Sequence, residues 1–176
     1  MNLFLWGALP YIAFTFLIVG TLVRFFYFER NWTTKSSEFL EKKQLRIANP
    51  LFHFGLLCVI GGHVVGVLVP KAWTAALGIN DHMYHEGALY MGAVAGIIFI
   101  VGFLLLMKRR FTVPAMKVNT SGLDKWLYLF LTLAIFSGMA GTLLNASGFF
   151  DYRVSIGPWF RSLLSFMPDP SLMEGV

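Results

Sequence analysis

The sequence predicts an all-α membrane protein, a bundle of transmembrane helices, and three observations lead to this fold class. Apolar residues make up 57% of the 176-residue chain and charged residues 13%, against about a quarter charged in soluble domains. Four apolar runs reach the roughly 20 residues that a spanning helix needs, at about residues 3–28, 51–69, 87–107 and 127–146. The basic residues behind the net charge of +5 stand between these runs. They therefore indicate membrane topology and not a nucleic-acid-binding face.

Prolines lie near the start of the first predicted helix and at both the start and the end of the second. Pro10 falls early in the first run, where neighbouring helices can absorb a kink. In the second run, the sequence predicts Asn49 as the N-cap and Pro50 as the first helical residue. Pro70 is predicted to end this helix.

The segments between the runs predict the orientation of the chain. Segments 24–50 and 108–125 together hold eleven Lys and Arg residues, whereas the rest of the chain holds three. Loops rich in Lys and Arg face the cytoplasm. Both basic segments are therefore predicted to be cytoplasmic, with the amino terminus outside.

Residues 156–167 are predicted to form a short amphipathic helix on the outer surface. Apolar side chains repeat there at helical spacing, and Arg161 and Ser162 lie off that stripe. The apolar positions are Ile156, Trp159, Phe160, Leu163, Leu164 and Met167.

Two of the four histidines, His53 and His63, lie within the second apolar run, where an ionisable side chain marks a functional site by default. Ten residues of helix separate them by about 15 Å along the axis and about 80° around it. One metal ion held by a helix needs ligands three or four residues apart, whereas haem iron takes one axial ligand from each side. The spacing therefore favours two haems, each with one ligand from this helix. A hydrogen bond between helices is the alternative.

Four glycines flank the two histidines. They would let a flat macrocycle approach the backbone, although glycine also suits contacts between membrane helices. The four are Gly55, Gly61, Gly62 and Gly66.

Several motifs resemble one known family. They are Pro10-Tyr11-Ile12, Asn49-Pro50-Leu51-Phe52-His53, Gly62-His63-Val64-Val65-Gly66, Leu105-Leu106-Met107-Lys108-Arg109-Arg110 and Trp159-Phe160-Arg161. With these motifs the chain resembles the gamma subunit of respiratory membrane-bound nitrate reductase, a dihaem cytochrome b. The histidine pair ten residues apart is the most specific of them.

The resemblance implies a single cytochrome b domain over residues 1–176, with four helices present of an expected five. His53 matches the axial ligand of the inner haem b and His63 that of the outer haem b. The fifth helix would carry the two other ligands, after a stretch resembling residues 168–173, so we expect the chain to stop before it. The resemblance also implies a bacterial or archaeal plasma membrane. Quinol would be oxidised near the outer face, and electrons would pass inward to iron–sulfur (beta) and molybdenum catalytic (alpha) subunits.

The outer loop between the second and third helices holds the candidate quinol residues. A quinol site needs a hydrogen-bond partner for the quinone oxygen and a proton acceptor. His85 and Glu86 are predicted to open the third helix, and the imidazole of a histidine suits proton transfer. Tyr84 and Lys71 are alternative hydrogen-bond donors. The competing interpretation is a hydrated loop with an acidic helix start.

Two other classes of function stay open from the sequence. One is a related cytochrome b subunit of a heterodisulfide-reductase-like complex. The other is a non-redox membrane scaffold or transporter, whose histidines bond between helices. A further helix with two more histidines would separate the cytochromes from the scaffold, and the co-purifying subunits would separate the two cytochromes.

Overall fold

The computed structural model describes residues 2–27, 38–149 and 151–174, and these residues contain helices and no strand. Four helical stretches among them are long and apolar enough to cross a membrane: Leu3–Tyr27, Lys43–Leu68, Asp81–Thr112 and Gly122–Ala146. The predicted all-α fold class with four spans is confirmed. The predicted end of the first span, Phe28, lies outside the described residues. So do Arg30 and Lys35, two of the basic residues that predict the orientation of the chain.

Seven α-helices follow one another within the described residues. They are α1 (Leu9–Tyr27), α2 (Lys43–Leu68), α3 (Lys71–Ala76), α4 (Asp81–Thr112), α5 (Pro114–Val118), α6 (Gly122–Ala146) and α7 (Ile156–Leu164). A π-helical stretch, Leu3–Ala8, leads into α1, and a short 3₁₀ helix, Pro170–Met173, follows α7. The helices belong to two compact units, one of Met1–Lys35 with Asp151–Val176 and the other of Ser36–Phe150.

In the first unit, α7 forms hydrogen bonds to the start of the first span, near Pro10. Proline has no N–H and therefore donates no hydrogen bond to the preceding turn. The indole Nε1 of Trp159 donates to the carbonyl of Trp6 at 2.8 Å. The hydroxyl of Tyr11 donates to the carbonyl of Leu163 at 2.8 Å. Two motifs far apart in the sequence, around Pro10 and around Trp159, therefore join α7 to the start of α1.

The predicted amphipathic helix is present, but it ends at Leu164 and not at Met167. The N–H of Met167 donates to the carbonyl of Ser162 at 3.0 Å, and that of Phe166 donates to Leu163 at 3.1 Å, which is the Schellman arrangement. Phe166 takes the left-handed backbone conformation (φ 57°) that glycine takes at the ends of α3 and α6. That reversal stops the helix before Met167.

In the second unit, α2 and α4 run antiparallel with their backbones in direct contact. A Cβ atom on Gly55 would lie 2.6 Å from Cα of Phe99, and one on Gly102 would lie 2.7 Å from Cα of Phe52. A glycine of each helix thus contacts the backbone of a phenylalanine of the other helix. The ring centroids of Phe52 and Phe99 are 5.2 Å apart. This interlock fixes the register of the helix that carries His53 and His63.

The predicted start of α2 is wrong. The helix begins at Lys43, so Asn49 is not its N-cap and Pro50 lies inside it. Packing explains the extension, because Ala48 in the added turns is fully buried. A proline inside a membrane helix is tolerated where its surroundings satisfy the freed backbone groups. Consequently, His53 lies about three turns into the helix and not about one. The predicted end is confirmed, since α2 finishes at Leu68 before Pro70.

The third and fourth spans also begin earlier than their apolar runs. Helix α4 starts at Asp81, where the side chain of Asn80 accepts a hydrogen bond from the N–H of Met83 at 2.8 Å. Helix α6 starts at Gly122, with a capping box between Ser121 and Asp124. Polar caps thus set both starts, whereas hydropathy marks only the apolar part of each helix. His85 and Glu86 therefore lie in the second turn of α4, and the prediction that they open it is wrong.

Candidate functional site

Both membrane histidines of α2 present the same ring nitrogen away from the backbone. Nδ1 of His53 lies 2.9 Å from the carbonyl oxygen of Asn49, and Nδ1 of His63 lies 2.7 Å from that of Val59. A carbonyl oxygen only accepts, so in each ring Nδ1 carries the proton and donates it. In the neutral imidazole, Nε2 then keeps its lone pair, the form in which histidine binds a metal.

This donor set fits haem ligation, and among the described residues it is not part of a site that could hold a metal ion with three protein ligands. Both imidazoles are exposed on α2, which α4 covers on another side. Within residues 2–27, 38–149 and 151–174, no three His, Cys, Asp or Glu side chains gather as a metal site. Each iron would need a second axial ligand from elsewhere. One imidazole per iron is what a haem takes from a single helix.

The glycines near the histidines divide into two groups. Gly55 contacts the backbone of Phe99, and Gly66 is buried. Beside Gly61 and Gly62, in contrast, the described residues place no atom within 4 Å of an added Cβ, apart from the adjacent residues and the helix's own backbone. Gly61 and Gly62 are thus not used in a helix contact among the described residues, whereas Gly55 serves the contact with α4.

The residues proposed for quinol binding lie at the junction of α3 and α4. Lys71 opens α3, and its Nζ is 3.5 Å from Oδ2 of Asp81, the first residue of α4. Glu86 lies 3.9 Å from Nε2 of His82, one turn earlier on the same face. Tyr84 and His85 lie between them and are half-buried. The structure thus brings Lys71 to the start of α4, and it adds Asp81 and His82, which the sequence reasoning did not single out.

Two ion pairs join the carboxyl end of α4 to the amino ends of α2 and α6 in the second unit. Nε of Arg109, near the end of α4, donates to Oε2 of Glu41, just before α2, at 2.8 Å. Arg110 Nη2 lies 3.5 Å from Oδ1 of Asp124, in the first turn of α6. These contacts place the basic ends of α2, α4 and α6 together. Arg109 and Glu41 are 68 residues apart in the sequence, and Arg110 and Asp124 are 14 residues apart, so no local sequence pattern predicted either pair.

Comparison with known proteins identifies the family. The family model for the nitrate reductase gamma subunit matches residues 2–176. The chain belongs to this family. A nitrate reductase gamma subunit is one component of an oxidoreductase complex with alpha and beta catalytic partners, so the match supports a membrane-bound nitrate reductase and not the heterodisulfide-reductase-like alternative.

Individual relatives agree with the gamma subunit family. The chain is 47% identical to the nitrate reductase gamma chain of Bacillus subtilis over 173 residues, covering 98% of this chain and 78% of that one. It is 31% identical to the respiratory nitrate reductase 1 gamma chain of Escherichia coli over 143 residues, 81% of this chain and 62% of the relative. It also matches 26% of the nitrate reductase-like protein NarX of Mycobacterium tuberculosis, at 39% identity over 96% of this chain.

Proposed function

We propose that this gamma subunit is a dihaem cytochrome b that oxidises quinol near the outer face of the membrane. It would pass the electrons inward to the iron–sulfur subunit, and from there to the molybdenum catalytic subunit, of a respiratory nitrate reductase. The observation that carries the proposal is the pair His53 and His63 on one unbroken helix, each with Nδ1 bonded to a backbone carbonyl. Family membership supports it independently.

The two imidazoles would act as axial ligands, His53 for the inner haem and His63 for the outer one. A bound haem supplies reversible one-electron transfer. The hydrogen bonds from Nδ1 to Asn49 and Val59 hold each ring in one orientation and one tautomer. We propose that the second axial ligands come from a segment outside these 176 residues.

The proposed orientation puts the amino terminus outside. Its support is the excess of Lys and Arg in segments 24–50 and 108–125. The ion pairs of Arg109 and Arg110 belong to the end of the second unit that would face the cytoplasm. Along α2, His53 would then be the ligand nearer the cytoplasm and His63 the one nearer the outside.

Haem content tests the proposal most directly. The full-length gamma subunit, purified in detergent, is expected to contain about two b haems per chain by pyridine haemochrome analysis, because each histidine of α2 serves a separate iron. The 176-residue piece expressed by itself is expected to bind far less haem. A correctly inserted full-length protein without haem would contradict the proposal and return the histidines to a structural role.

At the outer site, we propose that His85 accepts a proton from the quinol hydroxyl and that Glu86 passes it to water. The His85→Ala and Glu86→Gln variants are expected to slow haem reduction by a quinol analogue about tenfold or more in stopped-flow experiments. Reduction by dithionite, which bypasses the site, should keep its normal rate and extent. Met83→Ala is the matched control, because Met83 is exposed in the first turn of the same helix and carries no group that exchanges protons.

Unchanged rates for both His85→Ala and Glu86→Gln would exclude these side chains from quinol oxidation. Tyr84→Phe and Lys71→Gln then test the alternative hydrogen-bond donors in the same assay. Lys71 is already paired with Asp81, and both Lys71→Gln and Asp81→Asn would break that pair. A slower haem reduction in Lys71→Gln therefore indicates quinol binding by Lys71 only if Asp81→Asn keeps the normal rate.

A further inference from the structure

The imidazole of His53 has an aromatic neighbour on its own helix. The ring centroids of Phe52 and His53 lie 5.2 Å apart, and the two ring planes are nearly perpendicular, at 84°. Aromatic rings prefer such an edge-to-face arrangement, in which a fixed ring holds its neighbour in place. Nδ1 of His53 also contacts the carbonyl oxygen of Asn49 at 2.9 Å. The hydrogen bond and the ring of Phe52 therefore both restrict the rotation of this imidazole.

Rings of α4 hold Phe52 in turn, and a ring of α6 lies behind them. The ring centroid of Phe52 lies 5.2 Å from that of Phe99 and 6.5 Å from that of Phe103. Phe103 is 3% exposed, and its ring centroid lies 5.9 Å from that of Tyr128 on α6. Phe52, Phe103 and Tyr128 form a continuous row of rings, which we call the aromatic row. It connects α6 to the imidazole of His53.

The aromatic row distinguishes the two histidines of α2. His63 makes the same contact with the backbone as His53, with Nδ1 2.7 Å from the carbonyl oxygen of Val59. The sequence neighbours of His63 are Gly62 and Val64, and in the part of the chain that the structure describes no aromatic ring packs against its imidazole. Of the two candidate haem ligands, the described rings therefore hold His53 and not His63.

We propose that Phe52 and Tyr128 are positioning residues for the inner haem. The inference rests on the proposed function, in which His53 is the ligand of that haem. The aromatic row fixes the plane of the imidazole and keeps water away from it. In a ferric haem with two axial imidazoles, the g values depend on the angle between the two ring planes. Exclusion of water destabilises the additional positive charge of the ferric form, so the aromatic row raises the potential of the inner haem.

Redox titration and electron paramagnetic resonance of the full-length protein, purified with its haems, test this role. Phe52→Leu removes the ring beside His53, and Tyr128→Leu removes the ring at the other end of the aromatic row. In Phe52→Leu, we expect the ratio of ferric to ferrous inner haem at a fixed ambient potential to rise about tenfold, a fall of about 59 mV in midpoint potential. Tyr128→Leu should raise this ratio about threefold, because Phe103 then holds Phe52 less firmly. The g values of the inner haem should shift in both variants.

Two further variants of α6 are the controls. Tyr128→Phe keeps the ring and should keep the wild-type g values and potential. Phe130→Leu breaks a different ring pair of the same helix, that of Trp126 and Phe130 at a centroid distance of 6.0 Å, and it should leave both haems unchanged. The outer haem should be unchanged in every variant, since the aromatic row ends at His53 and not at His63.

The inner haem is identified as the one whose transition His53→Ala removes. Unchanged g values and potential of this haem in both Phe52→Leu and Tyr128→Leu overturn the proposal. Equal shifts of the two haems also overturn it, because they indicate a general loosening of the helices. If Phe52→Leu loses haem, Tyr128→Leu decides, and an equal effect of Tyr128→Phe contradicts a role of the ring.

Failure of the proposed function gives a different result. A wild-type protein without haem, or a His53→Ala variant that keeps both transitions, overturns the ligand assignment itself, and the inference about the aromatic row with it. Two haems with separate transitions, one of them lost in His53→Ala, support the assignment whatever the variants of Phe52 and Tyr128 show.

Discussion

His53→Ala in the full-length protein is expected to remove the inner b haem and keep the outer one, and His63→Ala is expected to do the converse. The reason is their separation of about 15 Å along α2, too great for one iron. Alanine would remove the nitrogen that we propose as the axial ligand, so nitrate reduction driven by quinol should fall at least about 100-fold in both variants. The two losses should differ in kind. Without the inner ligand, quinol still reduces the remaining haem; without the outer ligand, quinol reduces neither haem quickly.

Redox titration of the purified variants, followed optically, measures these effects. One of two transitions should disappear in each variant, and a different one in each. His82→Ala is the control, because His82 is an exposed histidine of α4 and not of α2. This variant should keep both transitions. If either ligand variant kept both transitions at wild-type amplitude, that histidine would not be a haem ligand.

Gly102→Ala is expected to destabilise the protein by roughly 1–3 kcal/mol, the usual cost of overpacking a close contact. The added Cβ would lie 2.7 Å from Cα of Phe52, a backbone atom that cannot rotate away. Helix α2 would therefore have to move away from α4, and with it His53 and His63. Gly55→Ala should behave alike, because its Cβ would meet Phe99 Cα at 2.6 Å.

Thermal unfolding in detergent, monitored through haem absorbance, tests the glycine interlock. Gly92→Ala on α4 is the matched control, since no other helix of the described residues comes within 4 Å of a Cβ built there; this change should be neutral or slightly stabilising. The haem potentials should shift in Gly102→Ala and stay constant in Gly92→Ala. Equal stability of the two variants would show that the backbones of α2 and α4 are not in contact at this position.

Much of the fold followed from local sequence. The apolar runs predicted four spans, and the family resemblance predicted membership in the nitrate reductase gamma subunit family. The ligand assignment of His53 and His63 stays a prediction, as do the quinol site and the orientation in the membrane. The second, third and fourth spans begin eight, six and five residues before their predicted apolar runs, because hydropathy marks only the apolar part of a helix. Polar caps such as Asn80 and Ser121 set the true starts outside that part.

The sequence alone thus determined the elements whose signal is local: apolar runs, the amphipathic repeat of α7, and the spacing of His53 and His63. Tertiary structure decided the features that join distant residues. Glu41 meets Arg109 across 68 positions, and the indole of Trp159 donates to the carbonyl of Trp6 across 153 positions. Gly55 suits a haem or a neighbouring helix equally well by sequence, and only the approach of Phe99 identifies it as a helix contact. The physical reason is the same for these three contacts. The type of residue limits which neighbours it can have, and the packing of the helices decides which neighbour it contacts.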